Sequence, residues 1–165
     1  MGEKLTVARS ALVQRFYRGV PIDIVDVGIG GGRFVREMHC SGTDINPAAI
    51  AWLRARSRLW HPALGSPAVL TFWDSIEHIL RPWELINRLA DNGMGKWVFV
   101  STPVYANDPE IAKLSRHYKP GEHVWYFTAL GLVRLMDEIG YGCVHTSMVE
   151  SDLGRDSIMS FVFRA

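Results

Sequence analysis

The sequence reads as an α/β protein with a doubly wound, mostly parallel sheet. Two observations carry that reading. Short apolar runs rich in Val, Ile and Phe alternate with longer segments whose apolar residues recur every three or four positions. Between the first such run and the helix-like pattern after it, "IDIVDVGIGGGRFV" (22–35) crowds four glycines into one turn. Alternation of this kind implies strands covered by helices on both faces. The last two strand candidates have no helical pattern between them, so the chain is expected to close on an antiparallel hairpin.

The elements follow in order. Residues 4–18 place Leu5, Ala8, Leu12, Val13 and Phe16 at helical spacing, a packing helix within 1–20 that precedes the main fold. Ile22 to Val27 is a short buried strand, and Gly31 to Met38 a helix with Phe34, Val35 and Met38 inward. A brief second strand runs from Gly42 to Ile45. Asn46 as N-cap and Pro47 at the first helical position then start a helix reaching about Arg56. "AVLTFW" is the next buried strand, "PWELINRLADNG" a helix ended by glycine, and "KWVFVST" a further strand. Thr128 caps "ALGLVRLMDEIG", in which Leu132, Leu135, Met136 and Ile139 share a face, and the hairpin candidates lie at 141–149 and 157–163.

Composition narrows the function classes. At 165 residues the chain has one domain's length, 1–165, with no repeat and no Gly-, Ser- or Pro-rich linker. A hydrophobic fraction of 48% with 21% charged residues is that of a globular protein. The net charge of +1 provides no global field to draw the molecule onto nucleic acid or a membrane. Cys40 and Cys143 are lone thiols, which fits a reducing, cytoplasmic setting. The first 20 residues carry five charged side chains and no continuous apolar core, so neither a signal peptide nor a membrane span is expected.

The glycine turn needs a ligand pressed against the main chain. Gly28, Gly30 and Gly32 admit unusual dihedrals and bare the backbone N–H groups at a strand's carboxyl end, where open α/β sheets bind ligands. A dinucleotide fingerprint, G-x-G-x-x-G, requires glycine at position 33, which is Arg33. The pattern is instead D-x-G-x-G-x-G from Asp26, with Asp44 closing the second strand 16 residues beyond Gly28. A carboxylate there is suited to accept hydrogen bonds from two vicinal hydroxyls.

These residues, with "FWDSIEHI", "KWVFVSTP" and "HYKPGEHVWYFT" further on, resemble the class I S-adenosylmethionine-dependent methyltransferases over nearly the whole chain, closest to compact bacterial and phage-type members. The resemblance implies a Rossmann-like fold of seven-stranded type and S-adenosyl-L-methionine as cofactor. Asp26, Gly28, Gly30 and Gly32 are then expected at its methionine end and Asp44 at its ribose, with Ile45 and Trp73 beside it. One departure is visible: only "LWHPALGSPA" stands where the third strand belongs, so that strand is shortened or absent and no residue is assigned to the adenine amino group. Ile45 and Trp60 are candidate apolar walls, Trp60 equally a core residue.

Methyl transfer from a sulfonium is an in-line displacement that gains most from alignment. Proton removal from the acceptor points to "DSIEH", where Asp74, Glu77 and His78 stand at i, i+3 and i+4 and share a face if one helical turn follows the strand. Asp74 and His78 are the catalytic candidates. The segment also resembles the E-x-x-E-H metal motif of ubiquinone-pathway and small-RNA 2′-O-methyltransferases, with Asp74 in place of the first glutamate, and a later histidine of the RNA enzymes corresponds to His123. The resemblance thus implies a divalent metal on Glu77, His78 and His123; His78 as general base without metal stays open beside it. The Asp/Asn-Pro-Pro-aromatic signature of base amino methylation is missing. Trp125, Tyr126 and Phe127 either stack on a planar substrate or anchor the next helix in the core, and the loop 105–119 is expected over the substrate pocket. Arg54, Arg56 and Arg58 read as a solvated helix edge.

The expected function is methyl transfer to a small-molecule oxygen or nitrogen. Metal-assisted methylation of RNA or another polymer is the second reading, and a non-catalytic S-adenosylmethionine-binding protein the third. No membrane partner is expected; a homodimer that completes the pocket is.

Overall fold

A computed structural model describes residues 2–90 and 96–165. The chain opens with helix α1 (Gly2–Phe16), which ends two residues before the 4–18 pattern because Gly19 and Pro21 follow, and a 3-10 turn at Pro21–Asp23 delays strand β1 to Ile24–Val27. Then come α2 (Arg33–Met38), β2 (Ser41–Thr43), α3 (Pro47–Arg54), β3 (Val69–Trp73), α4 (Pro82–Leu89) and β4 (Trp97–Pro103). The expected glycine end of α4, at Gly93, lies outside the described residues. Helices α5 (Pro109–Ala112) and α6 (Ala129–Glu138), strand β5 (Gly142–Ser147), helix α7 (Val149–Asp152) and strand β6 (Ile158–Arg164) complete the fold. The caps form as the sequence implies. Asn46 accepts from the Ala48 N–H and Thr128 from the Gly131 N–H, each satisfying an otherwise orphaned helix donor.

The sheet has six strands among the described residues, in the order β2-β1-β3-β4-β6-β5. The first four are parallel; β6 runs antiparallel between β4 and β5. Of the seven-stranded type, the third strand is the one that does not form between α3 and β3, in line with the expectation that it is shortened or absent. In its place one parallel bridge joins Gly42 to Leu59, and a 3-10 turn follows at Pro62–Leu64. Pro62 and Pro67 lack the N–H a ladder needs, and Gly65 stands between them with φ 84°. The C-terminal hairpin forms, but α7 interrupts its connection.

Period-2 alternation distributes the strand residues between two cores. Val25, Leu70, Phe72, Val98, Phe161 and Phe163 face α4 and α6, whereas Ile24, Val69, Trp73, Phe99 and Val162 face α1, α2 and α3. Trp60, half-buried, packs against the first of these. Asp26 and Thr71, paired in register, sit on the α1 side. Both candidate regions therefore lie at the carboxyl ends of the parallel strands.

Candidate functional site

One region is built from backbone. Strand β1 ends in a turn where Gly28, Gly30 and Gly32 have φ of 78°, 52° and 66°. At Gly28 a Cβ would stand 2.7 Å from that of Ser75, whose hydroxyl is already bonded to the Val27 carbonyl, so only glycine fits. At Gly30 the space is open: nothing lies within 4 Å of where a Cβ would be. A concave cleft of about 560 Å³ follows, lined by Asp26, Gly28, Gly30, Arg9, Trp73 and Asp74 among others. Its size is that of a ligand site.

Asp26 is only 2% exposed. Its Oδ1 accepts the Thr71 hydroxyl at 2.7 Å. Burial nonetheless pushes its carboxyl up to about 7, against the pull of Thr71 and of the Arg9 charge. A buried acid with one oxygen unsatisfied at the floor of a cleft is suited to a cationic ligand group.

Asp44 and Ile45 follow directly on β2, beside the turn, since the Gly28 N–H donates to the Thr43 carbonyl. Asp44 Oδ1 accepts from the Asn46 N–H at 2.8 Å, an Asx-turn that orients the carboxylate and leaves its second oxygen open. Ile45 is 98% exposed, so its whole side chain is available to a ligand and no protein neighbour supports it.

The second region is built from side chains brought from distant segments. After β3 the chain makes a 3-10 turn over Ile76–His78, not the α-turn that would put Asp74, Glu77 and His78 on one face. Asp74 has φ 56°, and its carboxylate bonds to Arg9 and Arg155, away from Glu77 and His78. The expected shared face is therefore corrected. Burial alone would raise the Asp74 pKa, but the two guanidinium groups outweigh it and hold it below the usual range.

Glu77, His78 and His123 do come together: one ligand atom from each lies within 4.8 Å of the others. The chain reaches this arrangement because the Val124 and Trp125 N–H groups both donate to the Glu77 carbonyl, bringing His123 to the turn. The two imidazole rings are 4.7 Å apart and nearly perpendicular.

Their hydrogen bonds decide which nitrogen is available. His78 Nδ1 lies 2.8 Å from the Glu122 carbonyl, which only accepts, so Nδ1 carries the proton and Nε2 keeps a lone pair. Tyr105 donates its one hydroxyl hydrogen to the His117 carbonyl at 2.7 Å, and 3.3 Å away His123 Nδ1 must then be the donor to the phenol oxygen. His123 Nε2 is left as an acceptor in turn. Burial, with His78 and Lys119 nearby, lowers the His123 pKa and so favours the neutral ring. Glu77, 2% exposed, accepts the Thr102 hydroxyl, and burial pushes its carboxyl up to about 7.

One carboxylate and two imidazoles form a donor set for a borderline divalent cation. Ligands about 2.0–2.2 Å from one tetrahedral ion stand about 3.3–3.6 Å apart, so a contraction of about an ångström would complete the set.

Next to His123 is a recess of about 310 Å³ whose lining includes Tyr105, Tyr118 and Tyr126, with Pro109 and Lys113 from the 105–119 loop. That loop carries the short α5, which starts with Asp108 as N-cap and Pro109 at the first helical position. The Tyr118 and Tyr126 rings lie 4.8 Å apart, while Trp125 and Phe127 turn to the core. The core-anchoring reading therefore holds for Trp125 and Phe127, whereas Tyr126 faces the recess. Sequence reasoning missed Arg9 as a cleft residue, Thr71 and Thr102 as carboxylate partners, and Glu150 and Arg155 altogether. Only Arg9 carries a local signal, a cation on an otherwise packing helix.

Among known proteins, the family described as "Methyltransferase domain" matches residues 1–146. No curated protein sequence matches. Solved structures do: magnesium protoporphyrin IX methyltransferase from Synechocystis PCC 6803 with bound SAH is 12% identical, with a TM-score of 0.68 over 99% of this chain and 84% of that one. The methyltransferase domain of bacterial CtHen1-C is 14% identical, with a TM-score of 0.67 over 99% and 97%. An S-adenosylmethionine-dependent methyltransferase from Mesorhizobium loti is 16% identical, with a TM-score of 0.64 over 94% and 96%. At these identities the likeness concerns the fold.

Proposed function

Because the chain belongs to the methyltransferase-domain family and its activity is S-adenosylmethionine-dependent methyl transfer, we propose that the acceptor is a hydroxyl and that Glu77, His78 and His123 hold a divalent cation beside it. The observation that supports this is the convergence of the three ligand atoms, with both histidines fixed in the tautomer that leaves Nε2 bare.

The cofactor supplies an electrophilic methyl group on a sulfonium, and the cation lowers the pKa of a bound hydroxyl. The chain's own residues do the rest. Gly28 and Gly30 let the methionine end approach the main chain. Asp26 faces its ammonium, and the open oxygen of Asp44 accepts from the ribose. In the transfer the acceptor's O–C bond forms as the S–C bond breaks, and the hydroxyl proton leaves toward solvent. The recess of three tyrosines holds the body of the acceptor, and at about 310 Å³ its size favours a small molecule. Arg116 and Lys119 on the same loop favour a second reading, a phosphate-bearing acceptor such as an RNA end.

Transfer of tritiated methyl into a metabolite pool and into an RNA pool, each with and without chelator, tests the proposal. Label that enters an oxygen acceptor and is lost with chelator supports it. Undiminished transfer in chelator with a His78→Ala variant inactive would replace the cation by His78 as general base.

A further inference from the structure

Four charged side chains close on one another where α1, the end of β3 and the α7–β6 connection meet. Arg9 donates from Nε to Glu150 Oε1 at 2.7 Å, and from Nη2 to Asp74 Oδ2 at 2.7 Å and Glu150 Oε2 at 2.9 Å. Arg155 donates from Nη2 to Asp74 Oδ1 and from Nη1 to Asp74 Oδ2, both at 2.9 Å, and from Nη1 to Glu150 Oε2. Two cations thus face two anions, and every carboxylate oxygen has at least one charged donor.

Stability alone is a poor account of this group. Glu150 is fully buried, and a buried ionic cluster often contributes less to stability than apolar residues of the same volume. What such a cluster does secure is direction, because each planar guanidinium grips its partners along fixed axes. The directions it fixes here are those of the cleft wall. Arg9 is held 5.1 Å from the Trp73 ring centre, and Asp74 is turned into the cluster with φ 56°. Arg9, Trp73 and Asp74 all line the cleft, together with Gly2, Leu5 and Thr6 of the same helix.

We propose that Glu150 and Arg155 are positioning residues for the methyl donor: through Arg9 and Asp74 they hold α1 across the cleft as its outer wall. The proposal rests on reading that cleft as the donor site, and it requires neither the cation nor any particular acceptor. It also assigns Asp74 a role other than proton removal, since both its oxygens are already engaged. The interruption of the C-terminal hairpin acquires a reason as well, because residues 148–157 deliver a buried anion and a cation to a helix at the opposite end of the sequence.

Calorimetric titration of S-adenosylhomocysteine into the full chain tests this, with Glu150→Gln, Arg155→Gln and Arg155→Lys beside the wild type and circular dichroism confirming fold. Breaking the cluster is expected to weaken binding about tenfold or more. The KM for the donor rises in parallel, kcat at saturating donor stays within about twofold, and Arg155→Lys recovers part of the affinity. Should Glu150→Gln fail to fold, Arg155→Gln, at a partly exposed position, carries the test. Folded variants that bind within twofold of wild type, or that lose kcat with affinity unmoved, overturn the proposal. A wild type that binds no S-adenosylhomocysteine overturns the donor reading of the cleft itself.

Discussion

Asp26 and Glu77 are each 2% exposed, each hydrogen-bonded to a threonine hydroxyl, and each pushed up to about 7 by burial, yet they stand in sites built on opposite plans. Around Asp26 the contact surface is main chain, laid down by one turn of five residues, 28–32. Around Glu77 it is side chain, assembled from a turn, a strand and a loop some 45 residues further on. The two plans share one electrostatic device, a desolvated carboxylate that a ligand cation would neutralise. On the proposed reading, that cation would be the ammonium of the donor's amino acid for Asp26 and a metal ion for Glu77.

If the plans are separable, damage to one half should spare the other. The largest effect is expected from His123→Ala or Glu77→Gln, which should reduce methyl transfer by about a hundredfold or more while calorimetry shows S-adenosylhomocysteine affinity within twofold of wild type. Loss of both together would break the comparison.

Asp26 comes next. Its folded pKa is raised, so between about pH 4 and about pH 7 the folded state keeps a proton that the unfolded chain has released. Stability of the ligand-free protein therefore falls as pH climbs through that window and levels off above it. Asp26→Asn should remove its share of the slope and leave that of Glu77: thermal melts should match wild type at pH 4 and show a stability greater by a few kcal/mol at pH 8. The same variant should bind S-adenosylhomocysteine more weakly.

Gly30→Ala sharpens the backbone side. No neighbour obstructs the added Cβ, so stability should fall only by about 1 kcal/mol for the left-handed φ, whereas donor affinity falls about tenfold. Gly28→Ala, facing Ser75, should lose stability as well as binding. The smallest effect is expected at Asp44→Asn. One hydrogen bond changes from charged to neutral, worth about 1 kcal/mol, a several-fold rise in the donor KM with kcat unchanged.

The same contrast explains what was legible in the sequence. The turn after β1, the Asn46–Pro47 and Thr128 helix starts and the alternation of the strands are local patterns, and each appears where its residues imply. Asp74 illustrates the limit. Its spacing to Glu77 and His78 assumes an α-turn, but Arg9 and Arg155 draw its carboxylate elsewhere and the chain takes a 3-10 turn instead. Neither arginine is near it in sequence. Glu150 gave no signal because residues 148–157 look like an ordinary link between strands, and the tautomers of His78 and His123 depend on carbonyls that only folding supplies. The missing third strand belongs with the legible features, because the shortness of "LWHPALGSPA" and its two prolines are local.

The bare outer edge of β2 has a practical corollary. With only the Leu59 bridge beside it and Ile45 standing in solvent, the nucleoside end of a donor bound as proposed would meet little protein. Analogues enlarged at the purine amino group, including those bearing a fluorophore or a resin tether, should be accepted nearly as well as the natural compound, which would make this chain a convenient scaffold for capturing its own acceptor.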